Sequence, residues 1–191
     1  MELEDKVQAV EQLWLTLDRE IASFQNWSGL HCKTGCGKCC LKPNIEASVL
    51  EFLPFALHLY KHNIAFDWLE KINGLTDGQL CALYDPTSSA AGMCSQYAYR
   101  ALICRLFGFS ARRNKYASKE LVMCQTIKTE QPEQFAVAVT QIQEEDSVPL
   151  VSYYNMQLRE IDDQLAQEFF PINTAIKRAI ETILHYYAYR S

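Results

Sequence analysis

The chain has 191 residues, 49% of them hydrophobic and 21% charged, with a net charge of −5. That is enough apolar material for one domain with a real core that does not depend on disulfides. No apolar run approaches the roughly 20 residues that span a bilayer, and the acidic opening Met1-Glu2-Leu3-Glu4-Asp5 differs from the basic start of a secretory signal. The expected setting is the cytoplasm.

In chain order, the first predicted element is a helix. Leu3, Val7, Val10, Trp14, Leu17, Ile21 and Phe24 recur every three or four residues, which places them on one core-facing stripe ending near Phe24. Ile45 to Tyr60 is apolar-rich and reads as helix with a break or kink at Pro54, and Phe66 to Ile72 reads as a further short helix. The rest of the middle reads as loops, with a tight turn between short strands over 111 to 117.

Beyond residue 129 the chain reads as helical again. Pro132 suits the first turn of a helix carrying Phe135, Val139 and Ile142, and Ser147 with Pro149 starts one carrying Tyr154, Leu158, Ile161 and Leu165. After an interruption at Pro171, Ile172, Ile176, Ile180, Ile183 and Tyr187 mark a last helix. The fold class expected is mainly α, a helical shell around an irregular cysteine-rich centre, with 1–191 as a single domain. The N-terminal helix is expected to bury against the C-terminal helices.

All eight cysteines fall in the irregular middle: Cys32, Cys36, Cys39, Cys40, Cys81, Cys94, Cys104 and Cys124. Thiols in a reducing compartment stay reduced unless a metal or a catalytic cycle holds them, so these eight read as metal ligands. In Cys32-x3-Cys36-x2-Cys39-Cys40 the short spacings let sulfurs turn toward a common ion, and Gly35 and Gly37 ease the wrapping of the backbone. Adjacent Cys39 and Cys40 tend to point apart, so a complete site recruits from Cys81, Cys94, Cys104 and Cys124. Eight thiols suit two four-sulfur sites, or one cluster with spare thiols, so zinc and an iron–sulfur centre both remain open.

Charge favours the same segment. Residues 28–128 carry 12 basic and 7 acidic side chains, a net of +5, between flanks of −4 and −6. Lys33, Lys38, Arg100, Arg105, Arg112 and Arg113 are placed to offset an anionic thiolate centre. Arg105, directly after Cys104, would restrain the ligand loop by bonding cluster sulfur or a carboxylate such as Glu46 or Glu51. His31 abuts Cys32 and could replace a thiolate, whereas His58, His62 and His185 lie on helical segments and are not assigned as ligands.

The block at 32–40, "CALYD" at 81–85 and "GMCSQYAYRALICRLFGF" at 92–109 together resemble the YkgJ-type cysteine-cluster family of zinc- or iron-chelating proteins. The matching residues are Cys32, Cys36, Cys39, Cys40, Cys81, Cys94, Tyr97, Arg100, Cys104, Arg105 and Phe107, within about residues 30–125. Ala101 stands where that family usually has proline, and Gly108 where proline is common after the aromatic. The resemblance implies a metal centre more firmly than a reaction.

Two other functions compete with metal binding. One is a metal-dependent enzyme, because Cys32-x3-Cys36-x2-Cys39 matches the spacing of radical S-adenosylmethionine enzymes and the block resembles that of flagellin lysine N-methylases; no catalytic residue can be named. The radical barrel needs repeated strand–helix units, and the chain reads as strand-poor. The other is a nucleic-acid-binding zinc module, supported by Arg112, Arg113, Lys115 and Lys119 beside Cys124 but opposed by a pI near 5.4. The partner expected is a metal ion, with no membrane and no protein partner indicated.

Overall fold

The computed structural model describes residues 1–75, 79–88, 92–144 and 147–190. The fold is mainly α, as the periodicities predict, and the described residues form two compact units.

The first unit gathers residues 1–12, 35–101 and 158–191. Helix α1 (Leu3–Ser28) begins in it, and its predicted stripe from Leu3 to Phe24 is buried throughout, with the helix running four residues past the expected end. The unit's core is α9 (Ile172–Ala188) packed on α2 (Leu53–Lys61) and α3 (Ala65–Asn73). Ile176, Ala179 and Ile180 of α9 and Phe52, Leu53 and Ala56 are completely buried.

Pro54 does not break a helix. The α-helix begins at Leu53: β1 (Glu46–Ser48) and a 3-10 turn over Leu50–Phe52 come first, and Pro54 sits in the first turn of α2, where its missing N–H costs nothing. Strand β1 pairs antiparallel with β6 (Phe169–Pro171), Ala47 opposite Phe170, a pairing the sequence did not announce. Tyr186 and Arg190 near the end of α9 bond Glu2, and Tyr187 bonds Glu4, so the two chain ends are tied within this unit.

A hairpin, β2 (Tyr84–Asp85) with β3 (Met93–Cys94), sets Tyr84 opposite Cys94. The short helix α8 (Asp163–Ala166) completes the unit, capped by Asp162, whose carboxylate accepts from the Leu165 N–H at 2.9 Å.

The second unit gathers residues 13–34 and 102–157. It contains α4 (Leu102–Leu106), the hairpin of β4 (Ser110–Arg113) with β5 (Lys119–Val122), α5 (Gln125–Glu130), α6 (Pro132–Gln141) and most of α7 (Val151–Ile161). The turn expected over 111–117 falls at 114–118, with 111–113 belonging to β4, and Pro132 starts α6 as expected. Helix α7 stops at Ile161, short of Leu165, which belongs to α8. The core packs Phe24, Leu30, Ala111, Ile127, Ala138 and Ile142, with Trp27 edge-on to Phe24 at 5.1 Å.

Gly108 has φ of 95° and its N–H donates to the Val122 carbonyl at 2.9 Å. Proline has neither that φ nor that N–H, which accounts for glycine at this position. The three paired sheets are antiparallel and two-stranded, so the described residues do not build the parallel strand–helix units of a radical barrel.

Candidate metal centre

The eight cysteines divide between the units, and all eight are thiols. Cys36, Cys39, Cys40, Cys81 and Cys94 lie in the first; Cys32, Cys104 and Cys124 lie in the second. Sequence spacing could not draw that line, which passes between Cys32 and Cys36.

In the first unit, a left-handed Gly35 (φ 71°) leads into Cys36, and a 3-10 turn over Lys38–Leu41 carries Cys39 and Cys40. Gly37, by contrast, sits at φ −97°, a value open to any residue, and its carbonyl accepts from the Cys40 N–H at 2.9 Å. The tight turn brings the adjacent sulfurs together instead of pointing them apart. The Cys40 thiol donates to the Cys39 sulfur, and with help from the Cys39 and Cys40 backbone N–H groups and the Arg100 guanidinium this lowers the Cys39 pKa to about 6 against the opposing effect of burial.

The remaining thiols come from the neighbourhood of the β2–β3 hairpin. Cys94 lies on β3, and this strand packs against the 3-10 turn that bears Cys39 and Cys40. Burial raises the Cys94 thiol, as does the nearby Cys39 charge, while the Gln96 N–H and Arg100 oppose the rise. Cys81 precedes β2, its carbonyl accepting from the Tyr84 N–H at 2.9 Å. Burial pushes its thiol up to about 11, opposed by the Leu83 and Tyr84 N–H groups and by Lys71, and the charge of Cys94 adds to the rise.

Three sulfurs, those of Cys39, Cys81 and Cys94, therefore interact in sequence, and each is approached by backbone N–H groups. Amides and cations aimed at sulfur stabilise thiolate over thiol, so the donor set suits a soft metal ion. The sulfurs are neighbours that are not drawn to one centre: among the described residues, no three His, Cys, Asp or Glu side chains stand close enough to hold an ion.

Two side chains that the sequence did not single out grip the Cys81 segment. Asn173, on the first turn of α9, donates from Nδ2 to the Leu80 carbonyl (3.1 Å) and accepts the Ala82 N–H at Oδ1 (2.7 Å). Lys71 of α3 donates to the Ala82 carbonyl at 3.0 Å. Both are side-chain-to-backbone bonds between distant positions, which leave no periodic trace in a sequence.

The second unit uses its residues differently. Arg105 is almost fully buried on α4, and the carboxylate it pairs with is Asp18, at 2.6 Å, where the sequence suggested Glu46 or Glu51; its guanidinium also lies 5.0 Å from the Trp14 ring centroid. Glu51 accepts from the Ser48 N–H and hydroxyl at 2.7 and 2.9 Å. Cys124 precedes α5 against the second unit's core, Cys104 is half-buried on α4, and Cys32 is exposed with its thiol 3.7 Å from the Lys33 carbonyl.

His31 uses its backbone, exchanging hydrogen bonds with the Gln131 side chain at 2.9 and 2.7 Å. The His58 and His62 rings lie 4.2 Å apart, tilted at 43° to each other, with Tyr99 5.0 Å from His58. The basic stretch has local uses: Arg112 pairs with Glu120, Arg113 donates to the Ala117 carbonyl, and Lys119 is buried.

No curated protein and no solved structure matches the chain. The family model CxxCxxCC, described as "Putative zinc- or iron-chelating domain", matches residues 31–144, more than half of the chain. The match starts at the cysteine block and extends past Cys124 through α6, beyond the 30–125 read from the motifs. The chain therefore belongs to the CxxCxxCC family of zinc- or iron-chelating domains.

Proposed function

We propose that the thiols of Cys39, Cys40, Cys81 and Cys94 hold one zinc or ferrous ion, and that the protein is a cytoplasmic metal-binding protein. The observation that carries this reading is the chain of sulfur interactions, Cys40 to Cys39, Cys39 to Cys94 and Cys94 to Cys81, with backbone N–H groups approaching three of the four. Binding would close the remaining separation between neighbours that already influence one another. Eight reduced thiols suit a reducing compartment.

The contact between the Cys39 and Cys40 sulfurs supports a single ion over a cluster. Two thiolates each about 2.3 Å from a tetrahedral ion sit about 3.8 Å apart, which is hydrogen-bond range for sulfur. A four-iron cluster binds its cysteines through separate irons, which spreads the sulfurs. When bound, the ion would supply a cross-link between the 3-10 turn and the β2–β3 hairpin, and with it folding free energy. Arg100 and Lys71 supply positive charge against four thiolates.

Elemental analysis and acid-labile sulfide on anaerobically purified protein test this. One zinc or iron per chain without sulfide is expected. Less than one metal per chain, or iron with matching sulfide, would overturn the single-ion reading.

A further inference from the structure

We propose that Asn173 and Lys71 are positioning residues for the metal site, holding the Cys81 sulfur in place through the backbone on either side of it. The inference rests on the thiolate reading above. Asn173 brackets Cys81: its Nδ2 donates to the carbonyl of the residue before and its Oδ1 accepts from the N–H of the residue after. A primary amide offers a donor and an acceptor on adjacent atoms, which lets one side chain meet both backbone groups; a carboxylate has no donor to give Leu80.

The bracket is anchored on both sides. Ile172, Ala175 and Ile176 around Asn173 are buried in the first unit's core, so the amide projects from a fixed helix. Lys71 adds a third bond to the same segment through the Ala82 carbonyl, and its ammonium is itself held 4.2 Å from the Trp68 ring centroid. A held cation here is available to offset thiolate charge at Cys81.

On its C-terminal side the segment is tied to the hairpin, with the Ser95 N–H and hydroxyl donating to the Leu83 carbonyl at 2.7 and 2.9 Å; Asn173 and Lys71 hold the residues next to Cys81 itself. Strands β2 and β3 are two residues each, and Cys81 lies outside both. Fixing a ligand before the ion arrives removes conformational freedom that binding would otherwise have to take away. Asn173 thus links the start of α9 to the metal site, although 92 positions separate it from Cys81 (173 minus 81).

The test uses the full chain, zinc affinity by competition with a chromophoric chelator, and the charge-transfer absorption of the cobalt(II)-loaded protein. Asn173→Ala and Asn173→Asp should weaken zinc binding about 10- to 100-fold, the usual range for residues that orient ligands, and alter the cobalt–thiolate band. Lys71→Met should weaken binding about tenfold, and Lys71→Arg should recover it. Asp162→Ala, which removes bonds to Lys6 and Leu165 and none to the Leu80–Ala82 backbone, should bind zinc within about twofold of wild type, which separates positioning from general loss of stability.

Cys81→Ser distinguishes the two levels of the proposal. If it loses the metal while Asn173→Ala and Lys71→Met bind as wild type, the positioning role is wrong. If Cys81→Ser itself keeps full metal affinity, the thiolate reading fails instead. Should Asn173→Ala not fold, the Lys71→Met and Lys71→Arg pair decides alone, and wild-type affinity in the Met variant overturns the inference.

Discussion

Asp18→Asn should destabilise the protein by about 2 kcal/mol. The Arg105 guanidinium is 3% exposed and bonded to Asp18 at 2.6 Å, while the Asp18 side chain is 47% exposed. Removing one partner of a fully buried pair costs about 3–5 kcal/mol, because a charge is left without compensation. Here water reaches the carboxylate side, which reduces the loss toward the range of exposed pairs; the Trp14 face still lies near the cation. With a urea m-value of about 2 kcal/mol/M, the midpoint should fall by about 1 M.

Urea denaturation followed by circular dichroism measures this, with Arg105→Met and the double variant completing a cycle. The double variant should lose less than the sum of the single losses, since both single variants remove the same Asp18–Arg105 pair. A midpoint for Asp18→Asn within about 0.25 M of wild type, or additive losses in the cycle, would refute the buried-cation argument.

Gly92→Ala should destabilise the β2–β3 hairpin by about 1–3 kcal/mol, because φ is +63° there and a Cβ would collide with the Tyr84 ring; thermal melts and zinc affinity should both decline. Zinc affinity should rise with pH, since burial raises the Cys81 thiol to about 11 and raises Cys94, so both must shed protons to bind; calorimetry in buffers of different ionisation enthalpy should show at least about one proton released per ion, and a pH-independent affinity between about 6 and 8 would contradict this. Asp162→Ala should cost about 1–2 kcal/mol, from a lost cap of about 1 kcal/mol and the 2.6 Å pair with Lys6. Burial favours the protonated Asp162, but the Lys6 bond and the Leu165 N–H outweigh it and lower the pKa. Its contribution is therefore present above the unfolded carboxyl pKa and is lost as pH falls through the lower folded value, so wild type and variant should converge in stability at strongly acidic pH.

Local signals served well where the physics is local. The stripe from Leu3 to Phe24 is set by helical period alone, and every member is buried. Pro132 starts a helix because its ring angle fits the first turn, and Pro54 stands in the first turn of α2; an apolar run on both sides of Pro54 hid the strand and 3-10 turn that precede Leu53. Non-local pairings were invisible. Strands β1 and β6 are three residues each and stand more than a hundred positions apart, with no alternation to mark them.

The candidate site shows the same division. The cysteine block was legible because a cysteine that only packs stands singly as a small buried hydrophobe, whereas four thiols in nine positions can share an ion, and the family match agrees. Which sulfurs share a unit depends on tertiary packing, so Cys32 and Cys36 look equivalent in sequence and are not. Arg105 was expected to bond cluster sulfur or a carboxylate such as Glu46 or Glu51, and the carboxylate paired with it is Asp18. Its partner, Asp18, lies 87 positions away on a helix with several other acidic side chains, and nothing local selects it from among them.

Thiol footprinting tests the central claim most directly. Anaerobic metal-loaded protein and chelator-stripped protein would each be alkylated briefly under native conditions, and the modified cysteines located by mass spectrometry. Bound metal should protect Cys39, Cys40, Cys81 and Cys94 together, stripping it should expose all four to modification, and Cys32 should react equally in both. Equal labelling of those four thiols with and without metal would contradict the claim.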